Sequence, residues 1–288
     1  MLLKIFNYEM LNFENQKLII SEKGISKINS DPLWSVLREL QESQERTITE
    51  ATLDELINKN NLPHPDTRNF LNTALNIQNH LKNPYIEEVL IIHNLSSATS
   101  LEKILSEEVT RKCTIIPISK LNTERLKNKR AFVHFFCEPY DYHALHDKFF
   151  EIAEKSPQAA LCVSYFTADS FCVSQPFIPE TGSPCHFCAI DRISSYEDYT
   201  SSNNSWTKLL RFCKKNNIPA PSKEPSLLQR SLAYGLLAQR INFYTTQHMG
   251  RRHQDSVFSS VNINLHNGKI TEETVPHWFL CKCLRDKK

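Results

Sequence analysis

Glycine is scarce in this chain. Only five occur among 288 residues: Gly24, Gly182, Gly235, Gly250 and Gly268. A loop that cradles a pyrophosphate needs glycines so that backbone amides can approach the phosphates closely. A chain this poor in glycine is ill equipped to be a nucleotide-binding enzyme. An excess of charge of either sign is also absent. With 34 Lys and Arg against 32 Asp and Glu, the formal net charge is +2, which exerts no strong pull on nucleic acid or an anionic membrane. No apolar run approaches the ~18 residues of a membrane-spanning helix. The opening Met1-Leu2-Leu3-Lys4-Ile5-Phe6-Asn7-Tyr8-Glu9 brings an early acid and no cleavage site of small residues, so it does not read as a signal peptide. A cytoplasmic location is the expectation. Nine cysteines suit it: a complete disulfide framework would leave one thiol over, and the cytoplasm keeps thiols reduced.

Composition and periodicity predict an α/β chain of two parts, residues 1–82 and 83–288. The first begins with strand-like alternation over Lys4 to Phe13, Lys17 to Ser21 and Gly24 to Ile28. Three helical patterns follow. One starts at the N-cap sequence Ser30-Asp31-Pro32, one at Thr49 and one near Asp66. A small sheet with three short helices has the composition of a winged helix. In the second part, residues 83–177 alternate strands with helices, as a mainly parallel, helix-covered sheet requires, and the remainder carries the first cysteine pair, two helices and a terminal sheet region. Strands are expected at Val89 to Ile92, Thr114 to Ile118, Ala131 to Phe136, Leu161 to Phe166 and Phe171 to Val173. Helices are expected at Leu101 to Val109, Tyr142 to Lys155, Trp206 to Lys215 and from Ser226 to Ile241. Asn267-Gly268 predicts a hairpin between Val261–Leu265 and Lys269–Thr274. The polar stretch Ser195 to Ser205 reads as a mobile loop.

The strongest chemical signal is cysteine spacing. Cys185-His186-Phe187-Cys188 lets two thiolates point at one ion from a tight turn, with Gly182 and Pro184 supplying turn residues. Zinc favours a tetrahedron of soft ligands, so a second pair is needed. Cys281 and Cys283 are the only other close pair, with 92 residues between Cys188 and Cys281. Cys113, Cys137, Cys162, Cys172 and Cys213 stand singly and read as small buried hydrophobes. The four clustered residues are therefore assigned to one structural Zn2+. Unrelated thiols are the plainer alternative, and a thioredoxin-type redox pair is another, although that leaves Cys281 and Cys283 unexplained. His186 and His277 can each replace a thiolate, but four sulfurs already complete the shell. A catalytic zinc of the deaminase kind needs His-x-Glu upstream of Pro-Cys-x-x-Cys, and no histidine here has that partner.

The segment Gly182 to Arg192 and the ending His277-Trp278-Phe279-Leu280-Cys281-Lys282-Cys283-Leu284 resemble the two cysteine motifs of McbB-like proteins. These are zinc-bearing subunits of bacterial synthetases that install thiazoles and oxazoles in microcin-type peptides. The resemblance spans the chain and is specific at the two motifs. It implies a degenerate form of the ubiquitin-activating, ThiF-like fold, Rossmann-like in residues 83–288. Ordinary members of that fold carry CxxC twice and a glycine-rich ATP loop. Here the second motif is CxC, the turn His93 to Ser100 holds no glycine, and Ile118-Ser119-Lys120 offers no acid to a ribose. An ATP site of the chain's own is not expected.

The resemblance further implies a scaffold that presents a substrate. Its winged helix would clamp the leader of a ribosomal precursor, which adds a strand beside Gly24, Ile25, Ser26, Lys27 and Ile28 and packs near the third helix, where Arg68 and Leu71 lie. The partners implied are a YcaO-type ATP-dependent cyclodehydratase, an FMN-dependent dehydrogenase and a second copy of the chain. Nucleic acid and membrane are not expected partners. The rival reading is a zinc-containing winged-helix transcription regulator. Residues 1–82 argue against it, with nine Lys/Arg against eleven Asp/Glu, a poor balance for phosphate contacts. No catalytic residue is assigned. Asp141, His143, His146 and Asp147 read as an acid-favouring helix start with exposed histidines, and Gly250-Arg251-Arg252-His253 as a solvated basic turn.

Overall fold

The computed structural model describes residues 2–4, 8–13, 16–21, 23–43, 47–75, 77, 85–199, 205–246 and 259–284. The chain forms two compact units, Met1–Leu81 and Lys82–Lys288.

In the first unit, β1 (Leu2–Lys4) pairs antiparallel with β5 (Thr47–Thr49), while β2 (Tyr8–Phe13), β3 (Gln16–Ser21) and β4 (Gly24–Ile28) form a separate antiparallel meander. The run expected as one strand from Lys4 to Phe13 thus serves two sheets, and its residues 5–7 lie outside the described residues. Gly24 has φ +112°, which a side chain would strain, and it starts β4 directly after the turn. Helix α1 (Asp31–Glu42) starts where Ser30 Oγ accepts from the Leu33 amide, and α2 (Glu50–Lys59) where Thr49 Oγ1 accepts from the Thr52 amide. Each cap satisfies an amide that the helix itself leaves unpaired. Helix α3 spans His64–Leu75. Ile19, Val36, Leu37, Ile57, Leu71 and Leu75 close the core of this unit.

The second unit is built on a seven-stranded sheet of order β12-β11-β10-β9-β8-β6-β7. Strands β6 (Glu88–His93), β7 (Cys113–Pro117), β8 (Ala131–Cys137) and β9 (Ala160–Phe166) run parallel. Strands β10 (Ser170–Val173), β11 (Ser259–Asn264) and β12 (Ile270–Thr274) continue antiparallel from β9. Over residues 83–177 the sheet is thus mainly parallel, as expected, and the antiparallel β10, β11 and β12 make it mixed as a whole. The hairpin residue Gly268 takes φ +71°, as the Asn-Gly turn predicts.

Alternation along the strands sends side chains to two cores. Leu90, Ile92, Val133, Phe135, Leu161 and Val163 face α5 (Tyr142–Lys155), α6 (His186–Tyr199) and α7 (Ser205–Asn216). Val89, Ile91, Phe132, Phe136, Ala160 and Cys162 face α4 (Thr99–Glu108) and α8 (Leu227–Thr245). Both faces being covered, β8 and β9 are buried throughout. Helix α8 opens with a capping box: Ser226 Oγ accepts from the Gln229 amide while Gln229 Oε1 accepts from the Ser226 amide. The expected loop over Ser195 to Ser205 is corrected as well, since α6 continues to Tyr199; residues 200–204 lie outside the described residues, as does the basic turn Gly250 to His253.

Candidate metal centre

Two backbone turns bring the cysteine pairs together. Gly182, at φ +69°, turns the chain before the first pair, and the Cys188 amide donates to the Cys185 carbonyl at 3.1 Å, so Cys185 precedes α6 and Cys188 lies in its first turn. At the other pair, the Cys281 amide donates to the Trp278 carbonyl at 2.9 Å and the Leu284 amide to the Cys281 carbonyl at 3.2 Å. The Sγ separations are 3.9 Å for Cys185–Cys188, 3.3 Å for Cys185–Cys281 and 3.5 Å for Cys188–Cys283. All four sulfurs lie within 4.8 Å of one another. A tetrahedron with Zn–S bonds of about 2.3 Å has edges of about 3.8 Å, so the set is of the right size for one such ion.

The surroundings suit a cation bound by thiolates. Cys185, Cys188 and Cys281 are buried and Cys283 is half-buried. Hydrogen bonds from the Cys185, Cys281 and Cys283 thiols draw Cys188 far below the ordinary thiol range, whereas burial pushes Cys185 well above it. An all-sulfur donor set of this size selects soft or borderline metals over Mg2+ or Ca2+, and it is compatible with zinc.

The two histidines beside the cysteines differ in kind. His186 is buried, with Nε2 2.8 Å from Tyr140 Oη, and burial pushes its pKa down to about 3. It belongs to the core. His277 has Nε2 3.0 Å from the Gly182 carbonyl and Nδ1 3.9 Å from both Cys188 Sγ and Cys283 Sγ. It ties the C-terminal segment to the turn before the first pair. Such supporting hydrogen bonds are typically worth 10–100-fold in metal affinity. His277→Ala is thus expected to release metal to a chromogenic chelator at about tenfold lower competitor concentration; unchanged release would show that the imidazole is a bystander.

Sequence reasoning did not find a polar clamp next to this centre. Asp191 Oδ1 accepts from Tyr142 Oη at 2.8 Å and from Lys214 Nζ at 2.7 Å, joining α5, α6 and α7. The Lys214 ammonium also stands 4.0 Å from the Tyr142 ring centroid. No motif spacing announces three residues so far apart in sequence. The group Asp141, His143, His146 and Asp147 disperses. Asp141 caps α5, His143 Nε2 lies 2.9 Å from the Lys214 carbonyl, and His146 packs on Tyr142 and Phe187. Both histidines are half-buried, not exposed as expected.

The residues expected to hold a peptide fall into three sets. Strand β4 is an edge of its meander, with Gly24, Ile25 and Lys27 exposed, Ser26 half-buried and Ile25 69 % exposed. The side chains of Ile28 and Leu71 lie in the core, so a strand added at Ile28 would meet its main chain, and Leu71 reaches the surface only through a small pocket beside Arg68. Arg68 is committed to the α2 carboxylates, with Nη1 2.8 Å from Glu50 Oε1 and Nη2 2.6 Å from Asp54 Oδ1.

Comparison with known proteins now locates the chain among its relatives. The model of the family described as Microcin B17-processing protein McbB matches residues 3–285. The Escherichia coli protein of that name is 27 % identical over 290 residues, covering 98 % of this chain and 96 % of the relative. Among solved structures, a chain of the E. coli microcin synthetase McbBCD complex with pro-MccB17 bound superposes with a TM-score of 0.77. It is 25 % identical, with 99 % of this chain and 100 % of that chain covered. A chain of the E. coli McbBCD complex gives a TM-score of 0.55 at 25 % identity, covering 98 % and 100 %. With both cysteine motifs inside the matched span, the chain belongs to the McbB family.

Proposed function

We infer that this chain is the substrate-binding scaffold of a bacterial heterocyclase complex, one that converts Cys and Ser residues of a ribosomal precursor into thiazoles and oxazoles. The observation that carries the reading is the end-to-end likeness, at TM-score 0.77, to a chain of a synthetase complex with its precursor bound. In this reading residues 1–82 are a winged-helix clamp for the leader, and residues 83–288 a ThiF-type domain stapled by Zn2+. A YcaO-type subunit supplies the ATP-dependent cyclodehydration and an FMN dehydrogenase the oxidation. The scaffold acts as a homodimer in the cytoplasm without an ATP site of its own. Two features support the clamp: an unpaired edge at β4 and exposed apolar surface on it at Ile25. Such an edge can accept a peptide as an added strand. Arg68, the one fixed cation of α3, is neutralised by Glu50 and Asp54, which weighs against the regulator. Among the described residues no helix is long and apolar enough to cross a membrane.

The test is binding of fluorescently labelled pro-MccB17 to the full chain by anisotropy. Ile25→Asp places a charge where an apolar contact is expected and should weaken binding about tenfold or more, the effect of losing roughly 1.4 kcal/mol. A wild-type chain that ignores the peptide yet shifts duplex DNA in a salt-dependent manner would replace this reading with the regulator.

A further inference from the structure

Behind the metal centre lies a cavity of about 670 Å³, within the range of ligand sites. Its floor is the outward face of the antiparallel half of the sheet. Cross-strand register places Cys172 opposite Asn262, Asn262 opposite Thr271, and Ser260 opposite Glu273, and all five line the space. One wall is α6, which presents Ala189, Arg192 and Ile193 at helical spacing, extended by Trp206 and Thr207 at the start of α7. The back is Gln175, held by its Nε2 to the Pro184 and Cys185 carbonyls at 3.0 and 3.1 Å, so the cavity and the first cysteine pair share a support.

The polar groups of this space are incompletely used. Gln175 Oε1 and Asn262 Oδ1 are buried acceptors without a donor, a costly condition unless something else supplies the hydrogen. Among the described residues no carboxylate pairs with Arg192 and no cation with Glu273, although both line the cavity. Ser170, Ser260 and Thr271 add side-chain hydroxyls to the lining. Free acceptors need N–H donors, and a free guanidinium needs carbonyl or hydroxyl oxygens. A peptide main chain with small polar side chains offers both at short repeat. A nucleotide would satisfy Arg192 but leave Glu273 facing phosphate.

We propose that this cavity is a second precursor-binding site, which holds a polar stretch of the peptide C-terminal to the leader, with Arg192 on its oxygens and Gln175 and Asn262 on its amides. The inference rests on the precursor-binding reading above, but it concerns a site wholly within residues 82–288. Holding the peptide at two points would raise overall affinity through effective concentration and would fix which stretch is presented.

The experiment uses the full chain with three labelled probes: pro-MccB17, its N-terminal half and its C-terminal half. Arg192→Glu should weaken full-length pro-MccB17 about tenfold, as loss of one charge-assisted bond implies, and leave the N-terminal half unchanged. Thr271→Tyr, an exposed substitution on β12 that projects a ring into the cavity, should do the same and decides the matter should Arg192→Glu impair folding. A benzoylphenylalanine at position 271 should cross-link the C-terminal half. Equal affinities for the full peptide in wild type and both variants, with no cross-link, would overturn the second site while leaving the first intact. Failure of the N-terminal half alone to bind would instead count against the leader clamp, and the cross-link would still judge the cavity.

Discussion

Cys281→Ser is expected to strip the metal from the purified chain and remove most of the stability of residues 82–288. Apparent binding energies of small structural zinc sites are about 10–16 kcal/mol, comparable to the whole net stability of a domain, about 5–15 kcal/mol. Here the effect reaches beyond the ligands because Cys185, Cys188 and Cys281 belong to the same core as β8, β9 and α5. Metal content by emission spectrometry and thermal unfolding with and without added zinc will check it. Cys213→Ser is the control, since that thiol is buried in the same core but outside the cluster; it should retain full metal. A Cys281→Ser protein that keeps its metal and melting temperature would refute the four-sulfur assignment.

Phe187→Ala should cost about 3–5 kcal/mol, the usual range for deleting a fully buried phenylalanine. Phe187 lies between the two ligands of the first pair and is completely buried. Its ring centroid is 5.3 Å from that of Tyr142, 4.9 Å from His146, 5.4 Å from Phe149 and 5.6 Å from Phe150. The residue therefore ties the cysteine turn to α5 by aromatic packing, which adds to its area burial. Denaturant titration of the metal-loaded chain measures the loss, and metal content should stay complete. A change below about 1 kcal/mol would mean that the ion alone secures the turn.

These two residues illustrate what could be read beforehand. The clustering of the two cysteine pairs was legible because two CxnC spacings are local patterns and every other cysteine stands alone. The long helices were legible for the same local reason: Ser226 and the periodic leucines after it mark α8, and Asp141 with its apolar stripe marks α5. Helix α6 was missed because its first turn is taken up by the cysteine motif, and Ser194 and Ser195 sit where a simple stripe would be apolar. The split of the first strand was missed because β1 pairs with β5, more than forty residues on, and alternation alone does not name a partner. The cavity left no trace in the sequence. Cys172, Ser260, Asn262, Thr271 and Glu273 look like the ordinary solvent face of hairpins, and the opposite wall comes from α6 and the start of α7, which no local pattern connects to them.

An ion held by all four sulfurs would be the clasp of a large ring, with 92 residues between Cys188 and Cys281. Ring-closure entropy grows only as (3/2)RT ln n, so this span costs about 2 kcal/mol more than one of a dozen residues. That penalty is small beside the energy of a sulfur-bound metal. Helices α7 and α8 and the β11–β12 hairpin can all be threaded inside the ring for little extra, and insertions or deletions among them would alter the closure term by tenths of a kcal/mol. Such a clasp would fix where this excursion starts and ends while leaving its length nearly free to vary, so the surfaces carried on the ring could change without loosening the join.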